Sequence, residues 1–271
     1  MKSPEGPVGV FDRAAAVYDA VGVAYFEPIA EGLVAELAPR PGERALDVGC
    51  GRGAVLAPLA RLVGSTGHAV GIDLAPEMVR RTTGDFAHLA QVRVRLDDAQ
   101  KPSLPPRSFD VVVSSMVLFF LVDPGAALAR WVELLVPGGR LGVTTFGKQD
   151  PAWSRLDTVL ESFVPTLAGA PAEAGPGPFD SDVGVESLLL GAGAVDVQTV
   201  TRTLPVRFRD VDHFLAFSWS HGQRALWEAV PEETHGEVRA AIAVEVEALA
   251  LRGTEIVLEE HVRYTLGRRR N

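Results

Sequence analysis

The chain has 271 residues, 47% of them hydrophobic, with a formal net charge of −9. That length and apolar content support one large core and exclude global disorder. The acidic balance argues against a general nucleic-acid binder, which carries a basic face. A single cysteine, Cys50, excludes an intrachain disulfide.

In chain order, Met1–Pro7 holds no apolar signal core. Apolar positions recurring through Val17, Val21, Tyr25, Ile29, Leu33 and Leu37 predict helix over 11–38. Arg44–Val48 reads as a first strand, followed by a helix over 54–63 closed by Gly64. Ala69–Asp73 is a second strand, and Pro76 suits the first turn of the next helix. Val92–Leu96 is a third. Phe109–Ser114 is a near-continuous apolar run, as expected of a central parallel strand buried on both faces. Helix over 125–135 then gives way at Pro137-Gly138-Gly139 to a fifth strand, Arg140–Phe146. This alternation predicts an α/β fold with a doubly wound parallel sheet.

Beyond 146 the pattern changes. Helices are expected over 153–164 and 183–190, with a Pro/Gly/Ala-rich loop over 168–180 between them. Strands are expected over 195–201 and 255–266, and helices over 210–229 and 232–251. The expected organisation is one compact domain. Segment 1–40 is helical and closes the active site, 41–150 binds the ligand, and 151–271 completes the sheet and carries a helical cap over about 205–252. The longest apolar run, Val111–Val122, contains two serines and is too short to span a bilayer. A cytoplasmic protein with no membrane partner is expected. No Cys/His cluster has metal-ligand spacing, so no metal is expected. Arg268–Arg270 reads as a solvated tail, and oligomeric state is not legible.

The chemistry concentrates in Leu46-Asp47-Val48-Gly49-Cys50-Gly51-Arg52-Gly53. A strand ends in an acid, and alternating glycines lead into a helix, which is where open α/β sheets bind ligands. Dinucleotide-binding turns are G-x-G-x-x-G and present a helix N-terminus to a pyrophosphate. Here the order is Gly49-x-Gly51-x-Gly53 behind Asp47, which would repel a pyrophosphate and suits an ammonium or sulfonium group. Asp73, 24 positions beyond Gly49, ends the second strand, where an acid accepts from ribose hydroxyls. Cys50 reads as packing within the turn.

The octet resembles motif I of the class I S-adenosylmethionine-dependent methyltransferases. Gly71–Val79, Asp97–Gln100, Ser108–Ser115 and Leu134–Leu141 resemble their later motifs, in the family's order and spacing. The chain is most similar to the ubiquinone/menaquinone-biosynthesis type and related bacterial natural-product methyltransferases, whose Phe-Asp…Tyr-Asp block matches Phe11-Asp12 through Tyr18-Asp19. The resemblance covers roughly 11–146. It implies a Rossmann-like, seven-stranded, mostly parallel sheet, with N-terminal helices and a helical cap between the last two strands. It further implies S-adenosyl-L-methionine as cofactor. Gly49, Gly51 and Gly53 would face its methionine part, with Asp47 and Cys50 in the same turn. The Gly49 carbonyl and the Ser114 region would receive the ammonium. Asp73 would hold the ribose, while Leu74 and Met78 line the adenine. Asp98 and the Ala99 amide would read the adenine edge, with Asp97 a competitor to Asp98. Tyr18 would close the site near the sulfonium, or be a core aromatic.

The reaction implied is in-line methyl transfer, in which alignment and exclusion of water do most of the work. Relatives often read Leu-His-His-Leu after the fourth strand, where this chain has Leu118-Phe119-Phe120-Leu121. The acceptor pocket is therefore expected to be apolar, with any base supplied elsewhere. His213, Phe217 and His221 stand four apart on one helix face, so His221 and His213 are the candidate bases, or else structural histidines. The expected function is methylation of oxygen or carbon in a small aromatic or apolar metabolite, of specialised or quinone type. The alternative is a non-methylating reaction on the same scaffold, such as cyclisation.

Overall fold

The computed structural model describes residues 6–165, 177–250 and 255–271. Its centre is a seven-stranded sheet of order β3-β2-β1-β4-β5-β7-β6. The strands are β1 (Arg44–Val48), β2 (His68–Asp73), β3 (Val92–Leu96), β4 (Phe109–Ser115), β5 (Leu135–Phe146), β6 (Ala194–Phe208) and β7 (Ile256–Arg269). The first five neighbours run parallel, and β7 runs antiparallel to β5, with Arg140 opposite Arg268 and Phe146 opposite Val262. The helices are α1 (Gly6–Ala14), α2 (Phe26–Leu37), α3 (Leu56–Val63), α4 (Pro76–Asp85), α5 (Pro124–Leu134), α6 (Pro151–Ser162), α7 (Asp182–Gly191), α8 (Val211–Ser220), α9 (Arg224–Ala229) and α10 (His235–Ala250). The expected sheet, N-terminal helices and helical insertion between the last two strands are all present.

Local chemistry sets the boundaries. Pro76, Pro124 and Pro151 open α4, α5 and α6, where a missing N–H costs nothing and φ is preset. Asp123, Asp150, Ser181 and Asp210 cap α5, α6, α7 and α8 through side-chain oxygens, each contributing about 1 kcal/mol. Gly64, at φ 66°, closes α3 as expected.

The expected single helix over 11–38 is two helices. Turns carry the chain from Ala15 to residue 25, with Gly22 at φ 80°. An apolar period across such a break cannot reveal it, because turn residues can keep the same spacing by chance. β5 starts at Leu135, earlier than expected, because the β4 pairing slips between Phe109 and Val111 and takes Leu135 opposite Phe109. β6 runs to Phe208, past the expected end at 201. The expected helix over 210–229 breaks into α8 and α9 around Gly222. Most of the expected 168–180 loop, the start of the N-terminal segment and the last residue of the 232–251 helix lie outside the described residues.

Contacts group the chain into two compact units. The sheet unit comprises 26–148, 176–202 and 262–271; the helical unit comprises the described parts of 1–25, 149–175 and 203–261. The sheet unit's core includes Leu46, Val48, Ile72, Val112, Trp131, Leu141, Val143, Val185 and Leu189, all buried. The helical unit gathers Trp153, Phe208, Phe214 and Phe217 in edge-on and tilted ring contacts. Such pairs contribute about 1 kcal/mol beyond the area they bury.

Candidate active site

Parallel registry brings four strand ends to one edge of the sheet unit. Val48 lies opposite Ile72, Asp73 opposite Leu96, and Asp47 opposite Val113. The turn after β1 therefore meets Asp73, the loop after β3 and Ser114. Gly49 and Cys50 both donate N–H to the Ile72 carbonyl, at 2.8 and 2.9 Å, folding the turn over the end of β2. Gly49, Gly51 and Gly53 have φ of 73°, 49° and 88°. Side-chain-bearing residues resist that region. At Gly49 a Cβ would also overlap the Val117 side chain, whereas at Gly51 it would meet nothing within 4 Å. Gly51 thus leaves an open cradle lined by backbone.

Asp73 orders that cradle. One carboxylate oxygen accepts Gly51 N–H at 2.8 Å and the other accepts Ala75 N–H at 2.9 Å. Thr82 donates its hydroxyl to the Gly51 carbonyl at 2.7 Å, so α4 holds the turn from the far side. Ser114 donates to the Val48 carbonyl at 2.8 Å, locking β4 to the end of β1. Cys50 packs its sulfur beside Gly71, where a Cβ would stand only 2.8 Å away. Burial raises its thiol pKa well above the ordinary value, which suits packing and not nucleophilic chemistry.

Asp47 is the unusual group. It is 1% exposed, and neither carboxylate oxygen has a hydrogen-bond partner among the described residues. Desolvation and the neighbouring Asp73 charge push its pKa to about 8; the Leu56 amide offsets part of this without completing a hydrogen bond. A buried, unsatisfied acid is costly unless something cationic or hydrogen-bonding joins it. An open glycine cradle beside an orphaned carboxylate fits the cationic methionine part of S-adenosylmethionine.

On the adenine side, Asp97 accepts the Ser103 amide with both oxygens, at 3.1 and 3.0 Å, and also the Asp98 amide. It is therefore committed to its own loop. Asp98 is half-buried and accepts Gln100 N–H at 2.8 Å. Trp131 donates its indole N–H to the Ala99 carbonyl at 2.7 Å, fixing the loop from α5. Leu74 is 43% exposed, as a residue lining a ligand should be, whereas Met78 is buried and backs the site from within the core.

Past β4, Met116 has φ 57° and donates its N–H to the Thr144 carbonyl and hydroxyl, at 3.2 and 3.1 Å. Left-handed backbone at a non-glycine residue is held in place by its surroundings and clusters at functional sites. Phe119 then sits 4.6 Å from Phe120, 5.0 Å from Phe146 and 6.3 Å from Phe179, ring centre to ring centre. Phe120 and Phe146 are exposed. Arg263 steadies this group, donating to the carbonyls of Phe146, Phe179 and Asp180 and to the Asp182 carboxylate.

The other candidates lie in the helical unit. Tyr18 is half-buried, its ring 6.0 Å from Phe11. His213 has both ring nitrogens on backbone. Nε2 donates to the Val21 carbonyl at 2.9 Å and Nδ1 accepts Arg209 N–H at 3.3 Å. His221 donates Nδ1–H to the Phe217 carbonyl at 2.6 Å and lies on the Phe217 ring, 4.2 Å between centres. Burial lowers its pKa to about 4, so it is a neutral imidazole with its basic lone pair on Nε2. The sequence reading missed one polar pair: Tyr25 donates to Glu260 at 2.9 Å, with both residues buried. The signal was an acid at an inward position of β7, between buried Leu258 and Val262, where strand alternation calls for an apolar residue.

A family model described as "Methyltransferase domain" matches residues 46–143. Nocamycin O-methyltransferase of Saccharothrix syringae is 39% identical over 276 residues, covering 96% of this chain and 98% of that protein. Aklanonic acid methyltransferase DauC of Streptomyces sp. (strain C5) is 42% identical over 137 residues, covering 50% of this chain and 62% of that protein. In fold, the chain matches the solved Haemonchus contortus phosphoethanolamine N-methyltransferase 2, which holds S-adenosylhomocysteine. The TM-score is 0.62 at 14% identity, covering 100% of this chain and 62% of that one. Near full-length kinship with one such enzyme agrees with what the glycine cradle and its orphaned acid require, and the chain belongs to the class I S-adenosylmethionine-dependent methyltransferases.

Proposed function

We propose that this enzyme methylates a hydroxyl group on a small, flat, largely apolar metabolite of natural-product type. The observation that carries the acceptor class is the group of Phe119, Phe120, Phe146 and Phe179 beside the end of β4, with two rings exposed. Exposed aromatic faces stack on planar ring systems. Oxygen as the methylated atom is taken from the full-length relative, an O-methyltransferase by name. The acidic balance of −9 favours a small molecule over nucleic acid, and the reaction is assigned to the cytoplasm.

When bound, S-adenosylmethionine supplies an activated methyl group. The protein's own residues then bind and orient. Asp47 is the counter-charge for the cationic end, Gly49, Gly51 and Gly53 give backbone access, and Asp73 holds the ribose. Leu74 lines the adenine, which Asp98 and the Ala99 amide read; Ser114 ties the ammonium region to the sheet. In the helical unit Tyr18 and His221 are assigned to the acceptor end. His213, with both nitrogens spent, is assigned to holding the 21–25 segment against the start of α8.

Calorimetric titration with S-adenosylmethionine and S-adenosylhomocysteine, beside Asp73→Ala, tests the cofactor assignment. Both ligands should bind the wild type, with affinity in the variant falling about tenfold or more, as expected for losing hydrogen bonds to an ionised group. Incubation with aromatic hydroxyl compounds should then give a one-methyl mass gain. Folded protein that binds neither ligand would overturn the reading.

A further inference from the structure

At the end of β4, within the sheet unit, three consecutive residues are tied to different neighbours. Ser114 donates its hydroxyl to the Val48 carbonyl of β1. Ser115 shares a hydrogen bond with the Thr144 hydroxyl of β5, at 2.9 Å. Met116 gives its N–H both to the Thr144 carbonyl and to that same hydroxyl. Thr144 is 0% exposed. A valine would fill its place, so packing does not account for the hydroxyl. Its hydrogen bonds have a fixed direction. Oγ1 of Thr144 already accepts the Met116 N–H, and its own hydrogen has Ser115 Oγ as its one acceptor among the described residues. A buried hydroxyl keeps its hydrogen bonded, so Thr144 donates to Ser115, the half-buried end of the chain.

We propose that Thr144 is a positioning residue for methyl transfer. Its hydroxyl holds Met116 in the left-handed conformation that seats Val117 on the cofactor turn. This rests on the assignment of turn 49–53 to S-adenosylmethionine above.

Met116 has φ 57°, a region that disfavours a side-chain-bearing residue by about tenfold in population. Two hydrogen bonds to one residue offset that cost. The next residue makes the contact that matters: the Val117 side chain occupies the place a Cβ on Gly49 would take. Val117 therefore lies directly against the first glycine of the cradle. Leu118, 1% exposed, pins the far side of the loop in the core. The Leu118–Phe120 turn then closes on the Val117 carbonyl through the Phe120 N–H at 2.9 Å. With Ser114 tied on one side and Leu118 buried on the other, the course of Val117 depends on the backbone of Met116. Phe119, which touches Phe120, Phe146 and Phe179, belongs to the same turn. One hydroxyl on β5 thus sets the wall of the cofactor turn and its spacing from the rings.

Calorimetric titration with S-adenosylmethionine tests this on wild type, Thr144→Val, Thr144→Ser, and Met116→Gly with and without Thr144→Val. Circular dichroism first establishes that each is folded. Thr144→Val keeps the shape and loses the hydroxyl. With Met116 left-handed only about a tenth of the time, affinity should fall about tenfold. Thr144→Ser restores the hydroxyl and should bind within about twofold of wild type. Glycine enters the left-handed region without penalty, so in the Met116→Gly protein Thr144→Val should change affinity by less than about twofold. A packing defect on β5 would not be rescued by a glycine beyond the end of β4. Equal affinity in wild type and Thr144→Val, equal loss in Thr144→Val and Thr144→Ser, or a loss that persists undiminished in the Met116→Gly protein would each overturn the inference and leave the cofactor assignment standing. Wild type that binds neither S-adenosylmethionine nor S-adenosylhomocysteine would overturn both. Should Thr144→Val fail to fold, Val117→Ala decides instead. Loss of the wall on Gly49 should weaken binding about threefold or more, and unchanged affinity would overturn the inference.

Discussion

Asp47→Asn is the sharpest perturbation the site offers. Removing a carboxylate ordinarily weakens a protein; here it should strengthen the cofactor-free one. The Asp47 pKa is about 8 in the fold, against an ordinary value of 3.8. A raised acid pKa means that the unfolded chain ionises first, so stability falls as pH climbs through that window. Each pH unit costs about 1.4 kcal/mol. Below pH 3.8 the group contributes no penalty, at pH 7 it costs about 4 kcal/mol, and above 8 the penalty levels off. These are upper figures, since water admitted to the site lowers them. Asparagine keeps the shape and cannot ionise, and its unpaired amide replaces a neutral acid that was equally unpaired. Urea unfolding across pH 5–9 should show the variant gaining stability over wild type, with the gap widening toward pH 8. Cofactor binding should run the other way. Near pH 6.5 a cation seated on Asp47 draws its proton off, so calorimetry in buffers of different ionisation heat should find about one proton released per S-adenosylmethionine bound. Asp47→Asn should release none and bind more weakly. A variant no more stable than wild type at pH 8, together with no proton release in the wild type, would refute the buried-acid argument.

Two glycines of the same turn should respond differently to alanine. Gly49→Ala adds a clash with Val117 to its φ of 73° and should lower stability by about 2–4 kcal/mol, read by chemical denaturation. Gly51→Ala meets open space and should cost only about 1 kcal/mol, yet weaken S-adenosylmethionine binding, because its methyl occupies the cradle. Trp131→Phe strands the Ala99 carbonyl and should cost about 1–3 kcal/mol, with a measurable loss of cofactor affinity through the adenine loop. Arg263→Met leaves three carbonyls and Asp182 without their shared donor. It should lower stability by about 2–4 kcal/mol and raise the hydrogen exchange of the 177–182 segment.

The sheet unit was largely legible because its signals are local. A strand, an acid and three spaced glycines fit within eight residues, and Asp73 follows one βαβ step later. What the sequence could not convey depends on pairing at a distance. Tyr25 and Glu260 are 235 positions apart, and only the misplaced acid in β7 hinted at the partnership. The two cap histidines looked equivalent at i and i+8. They differ because one reaches a carbonyl at Val21 and the other folds back onto its own helix. Asp97 and Asp98 are likewise adjacent and alike, and only the return of the chain to Ser103 shows which one is engaged. The break between α1 and α2 was hidden because the apolar period continues across it.

Cys50 gives the molecule a reporter that needs no engineering. It is the chain's sole cysteine, and it lies sealed inside the turn against Gly71. A thiol reagent can reach that sulfur only while the turn is lifted from β2, so the rate of alkylation counts those excursions directly. Slowing by S-adenosylmethionine or S-adenosylhomocysteine would measure how firmly each ligand keeps the turn shut, and a whole library of candidate ligands could be ranked by that one rate without a label or an acceptor.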